Sequence, residues 1–229
     1  MQGPIILDAI ELVPVVEVQP QRYAAPGRES SAETLQDGPE ARSHHWLDSL
    51  ADAGLAGLAP VRPTSWHVAT SALDRPETIR KLLAPIIEGW GGPGAFLEPD
   101  WSPVLDGGLA LLNGGEVLVE PTCCSDLANI DGWRTASEYR GAAWQMLYIG
   151  HPWLSVRLED GRLVLAGPHE SKPPEARWAV DPDAFVRAVA VAGAELEAFA
   201  SRIARALPGL GVTVGAEGLG LRLAGLADG

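Results

Sequence analysis

Along the chain, apolar and polar positions follow two rhythms, one of period two and one of three to four. Residues 4–18 alternate imperfectly and are rich in Ile and Val, which predicts a strand or strand pair broken at Pro14. Residues 19–42 are rich in Pro, Gly, Ser and Glu and predict a loop or linker. A short helix is expected over 44–53 with Ser43 as its cap. A second is expected over 74–89, where Asp74 caps, Pro76 sits in the first turn and Glu77 follows the cap by three. Pro85 should kink that helix or end it early, and residues 89–95 read as loop. Two hairpins follow, one turning on Asn113-Gly114 and one on Asp160-Gly161, with a helix over about 132–140 capped by Asp131. After Asp181-Pro182, Phe185, Val189, Ala192, Leu196, Phe199, Ile203 and Leu207 form one apolar stripe at helical spacing. Pro208-Gly209 stops it, and residues 211–225 predict a terminal strand. The order argues for an α+β fold: a single domain over 1–229, with a mostly antiparallel sheet built from hairpins, helices packed on it and a long C-terminal amphipathic helix.

Composition fits a soluble globular chain large enough to bury ~70–75% of its unfolded surface without staples. No apolar run approaches the ~18–20 residues of a membrane span. The first residues, interrupted by Asp8 and Glu11, read as a strand and not a signal peptide. The only two cysteines, Cys123 and Cys124, are adjacent, so they supply no disulfide framework, and a reduced, cytoplasmic protein is expected.

Charge changes the picture most. The net charge is −13, and residues 1–130 hold 18 acids against 7 bases. Between Lys81 and Arg134 there are eight acids and no base. Nucleic acid is a poor partner for such a surface, which must neutralise phosphates; a basic protein suits it. Eight tryptophans add candidate anchors. The expected partner-facing set is Trp90, Glu98, Asp100, Trp101, Asp106, Glu116 and Trp133.

Candidate chemistry is sparse. No phosphate-binding, nucleophile-elbow or zinc-helix motif occurs. Cys124 with His151 or His169 is a conceivable nucleophile–base set. Glu120, Asp126 and Asp131 nearby disfavour a thiolate, and free cysteines tend to be buried, so the pair is expected in the core. Adjacent cysteines are a poor zinc chelate. Asp126, Asn129, Asp131 and Glu138 give a faint calcium-loop match, against a plainer role for Asp131 as a helix cap. Gly150-His151-Pro152-Trp153 marks a strand end or bulge. No cofactor is expected.

The acidic composition, the α+β class and the Asn113-Gly114-Gly115 turn after an apolar stretch resemble bacterial immunity and interaction modules of the SUKH type, over residues 75–167. The resemblance implies a stoichiometric binder that neutralises a partner toxin and carries no catalytic residues. The leading expectation is therefore an acidic protein-binding module, ahead of a thiol- or histidine-dependent enzyme and a divalent-cation-binding protein.

Overall fold

The computed structural model describes residues 3–28, 38–95 and 104–226. Its architecture is α+β, with five α-helices and two mostly antiparallel sheets among the described residues. The strands are β1 (Ile5–Leu7), β2 (Ile10–Glu17), β3 (His67–Ala69), β4 (Gly107–Asn113), β5 (Glu116–Val119), β6 (Gln145–Leu147), β7 (Leu154–Glu159), β8 (Arg162–Ala166) and β9 (Ala176–Val180). The helices are α1 (Pro39–Asp52), α2 (Pro76–Gly89), α3 (Ile130–Glu138), α4 (Pro182–Ala206) and α5 (Ala216–Leu223). One sheet has the order β1-β9-β8-β7-β6 and the other β3-β2-β4-β5. The chain forms two compact units, one of residues 1–15 and 104–196, the other of residues 16–103 and 197–229.

The first unit holds the five-stranded sheet. Its spine is the hairpin β7–β8, in register from Val156↔Leu165 to Glu159↔Arg162. Asp160 and Gly161, both at positive φ (49° and 76°), close the turn as the dipeptide predicts. Strand β9, which the sequence reading missed, pairs antiparallel with β8 and parallel with β1. Its Trp178, Ala179 and Val180 are all buried, so it lacks the alternation that marks a half-exposed strand. The other hairpin turns on Gly114-Gly115, one residue later than expected, because Asn113 pairs with Glu116. Asn113 has a second role, accepting from the Ala9 amide through Oδ1 at 3.0 Å, while Gly114 N–H donates to Ala9 O. The first part of α4 adds Phe185, whose ring lies 6.0 Å from that of Trp133.

The second unit packs α1, α2 and the end of α4 around Trp46, Leu50, Leu82, Leu83, Phe199 and Ile203. Buried polar atoms find backbone partners: Tyr23 OH donates to Leu82 O at 3.0 Å and Trp46 Nε1 to Val18 O at 2.8 Å. Helix α1 starts at Pro39 behind Gly38, so Ser43 lies inside it and is not its cap. Helix α2 has Arg75 and not Asp74 at its N-cap position, and it does not end at Pro85 but continues to Gly89. A proline inside a helix costs about 3 kcal/mol. Ile86 and Ile87 beyond it are both buried, and each recovers about 1.5–3 kcal/mol of transfer energy.

Pro14 likewise sits buried within β2 without breaking it; the break falls at Asp8–Ala9. Proline keeps an extended φ and removes only one donor, so a strand tolerates it where that donor has no ladder partner. Residues 216–223 form helix α5 where a strand was expected. The glycines at 218 and 220 blur the period, and Gly220 is needed because a Cβ there would meet Ala200 O at 2.5 Å. All seven stripe residues of the long helix are buried. No described helix is long and apolar enough to cross a membrane.

Ile203, wholly buried on that stripe, gives a direct test of the core. Ile203→Ala should cost about 2–5 kcal/mol in urea unfolding; a loss under about 1 kcal/mol would show that the stripe does not carry the packing.

Candidate functional site: a thiol and histidine cluster

Every element of the candidate site belongs to the first unit. The segment after β5 turns back over the end of β6, and two backbone contacts fix it there. Thr122 N–H donates to Ile149 O at 2.8 Å, and His151 N–H to Cys123 O at 3.1 Å. The Thr122 hydroxyl lies 3.1 Å from both Ile149 O and Pro152 O. Gly150 lies under this contact at φ +103°, where a Cβ would clash with Cys123 O and stand 2.6 Å from Thr122 O.

Two isolated antiparallel bridges result, Cys123↔His151 and Trp153↔His169. Directly opposed residues of an antiparallel pair point to one face, with Cβ atoms about 4.5–5.5 Å apart. Side chains distant in sequence are thereby gathered into a row. Tyr148, His151, Trp153 and His169 meet edge to face in that order, with centroids 5.5, 5.5 and 6.1 Å apart. Cys123 Sγ donates to His151 O at 3.4 Å. His151 Nδ1 lies 3.3 Å from Glu170 Oε1, both side chains being half-exposed. Glu170 is the residue the sequence reading undervalued, because its proximity in sequence is to His169 and its contact is with His151.

The expectation of a buried cysteine pair is corrected: both thiols are exposed. Cys124 is turned outward by a backbone at φ +67°, a region that non-glycine residues avoid and that recurs at functional sites. Its carbonyl accepts from Tyr148 OH at 3.4 Å. The Cys124 thiol is pushed above its ordinary pKa. The main cause is the Cys123 sulfur, through a hydrogen bond that holds the proton and through its charge, with a smaller contribution from desolvation. The acidic sequence neighbourhood suggests the same direction, but the cause is the adjacent thiol. His169 has both ring nitrogens buried with no hydrogen-bond partner among the described residues, and its ring meets Trp153 edge to face.

Beside Cys124 lies a cavity of about 340 Å³ whose lining includes Ser125, Asp126, Asn129 and Tyr148. Asp126 caps the 3-10 turn leading into α3, its Oδ1 accepting from Ala128 N at 2.9 Å. Its carboxyl is nevertheless pushed above the usual range, first by burial and further by Asp106, while the Ala128 bond pulls the other way.

The remaining candidates scatter. Trp133 is fully buried, so it cannot anchor a partner; the indole fills the core against Phe185. Asp106 is half-buried and bridged to Asp126, Glu116 is exposed at the hairpin tip, and Trp90 ends α2 in the other unit. Glu98, Asp100 and Trp101 lie outside the described residues. The calcium-loop residues form no cage. Asp131 is the second residue of α3, whose N-cap position is Asn129 and not Asp131 as expected; it pairs with Arg134 at 2.9 Å, Glu138 ends that helix, and no three metal-ligating side chains come together among the described residues.

Gly150→Ala should destabilise the protein by about 2–4 kcal/mol in urea unfolding, since strain at positive φ adds to a backbone clash. A neutral result would mean that the two segments are not held together there. For Asp126, a folded pKa above the unfolded value means that the native state binds the proton more tightly, so stability falls as pH rises through that window. Asp126→Asn keeps the acceptor for Ala128 and removes the charge. Its melting temperature should exceed that of the wild type at pH 7, with the gap closing toward pH 4; a lower melting temperature at pH 7 would refute this.

Comparison with known proteins adds no template for this site: no family model matches the chain, and no curated protein or solved structure matches it.

Proposed function

We propose that the chain is a thiol-dependent enzyme whose reactive group is the Cys123–Cys124 pair, with His151 as proton acceptor. The observation carrying this reading is the Cys123↔His151 bridge on an exposed face, with Glu170 Oε1 3.3 Å from His151 Nδ1. A nucleophile, a base beside it and a third group orienting the base are the parts that thiol catalysis requires. In this reading Glu170 is a positioning residue that holds the proton on Nδ1, and the Cys123 thiol turns from the His151 carbonyl, its partner in this structure, to Nε2. The nucleophile is Cys123, because it is the sulfur paired with His151, and Cys124 keeps its proton as a hydrogen-bond donor to the thiolate.

The rival reading, an immunity-type acidic module for a basic protein, keeps the net charge of −13 but loses Trp133 as an anchor. Charge without an assembled contact surface supplies steering and little affinity.

Alkylation by iodoacetamide, resolved by peptide mass spectrometry across pH 5–9, tests the proposal. In native protein at neutral pH, Cys123 should react faster than Cys124. His151→Gln and Glu170→Gln should slow Cys123 by about tenfold or more, as expected when a thiol loses its base. Equal rates in the wild type and His151→Gln would rule the reading out.

A further inference from the structure

Two thiols lie side by side where nucleophilic catalysis needs one. Both are exposed, Cys124 on a left-handed backbone at φ +67° and Cys123 opposite His151. The peptide joining them is trans. Cα atoms across a trans peptide stand about 3.8 Å apart, whereas relaxed disulfides span about 4.4–6.8 Å. A bond between these two sulfurs is therefore strained and readily reopened, which suits a reversible redox bond and not a structural staple.

The second thiol also selects among the reactions open to the first. An acyl group on Cys123 that passed to Cys124 would only become another thioester. A mixed disulfide on Cys123 is different, because attack by the neighbouring thiol on Cys123 Sγ expels the bound group and ends the reaction. The proton on Cys124 fits this order of events. It is held chiefly by the hydrogen bond with the Cys123 sulfur and by that sulfur's charge. Both are lost once Cys123 is a neutral mixed disulfide, so Cys124 ionises more easily at the moment it must attack.

We infer that the Cys123–Cys124 pair is a two-electron thiol–disulfide exchange site, in which Cys123 attacks a substrate disulfide and Cys124 resolves the mixed disulfide by closing a bond to Cys123. This rests on the thiol reading above and gives it a substrate class. In the first step the Cys123 proton passes to His151, and Cys123 Sγ bonds one substrate sulfur. The other substrate sulfur leaves as a thiolate and takes that proton. In the second step Cys124 Sγ displaces the remaining substrate sulfur, which leaves with the Cys124 proton. One disulfide is reduced to two thiols, and the cysteine pair gives up two electrons and two protons.

Bis(hydroxyethyl) disulfide is the probe, because it is uncharged and the net charge of −13 neither attracts nor repels it. It is added to the full-length reduced protein at neutral pH, and acid-quenched samples are read by intact mass and peptide mapping. The wild type should pass through a mixed disulfide on Cys123 to a monomer lighter by two hydrogens, which reduced glutathione reopens. Cys124→Ser should stop at a stable mixed disulfide. Cys123→Ser, whose remaining thiol does not face His151, should take up the probe about tenfold more slowly than Cys124→Ser. A wild type that stays unreacted, stops at the mixed disulfide or carries its first adduct on Cys124 would overturn the inference, as would equal uptake by the two serine variants. Failure of the two readings is separable. Closure through Cys123 at an unchanged rate in His151→Gln removes His151 as the base and leaves the exchange site. His151-dependent alkylation of a Cys123 that never closes onto Cys124 removes the exchange site alone.

Discussion

The candidate site depends on one close approach of two backbone segments. Residues 122–124 lie so near residues 149–152 that position 150 has no room for a Cβ. Glycine there lets the Thr122 hydroxyl reach two carbonyls and the Cys123 carbonyl take the His151 amide. The Cys123↔His151 bridge follows, and the edge-to-face row from Tyr148 to His169 extends from it. A single Cβ at 150 would force the segments apart and disperse a cluster drawn from residues 122–170.

Electrostatics works both for and against the thiol pair. The chain is strongly acidic, and Cys124 holds its proton more tightly than an isolated cysteine. Negative surroundings disfavour a thiolate. In the proposed reading, His151 with Glu170 beside it and the neighbouring thiol are the local devices that oppose that field.

Packing explains why several local signals failed without harming the fold. Pro14 and Pro85 are breakers by propensity, yet each sits in an intact element because burial of its neighbours outweighs one missing donor. Trp133 reads as an interface anchor by residue type, but its place at the fourth residue of α3 turns it inward onto Phe185. The cysteines show the reverse error. Their type favours burial, and the left-handed backbone at Cys124 exposes them.

Local pattern determined the α+β class, the long helix with its buried stripe and the Asp160-Gly161 turn, because period and turn chemistry are properties of a few consecutive residues. Strand β9, buried at three consecutive residues from Trp178 to Val180, carries no alternation, and the terminal helix α5 hides its period behind glycines, so both were illegible. Of the site, the sequence singled out Cys124, His151 and His169 as residues without saying that they meet. It offered no reason to prefer Cys123 or to pair Glu170 with His151. Those pairings are made by strand register and by the crossing at Gly150, between positions 19 to 28 residues apart, and only the tertiary structure decides which distant residues share a face.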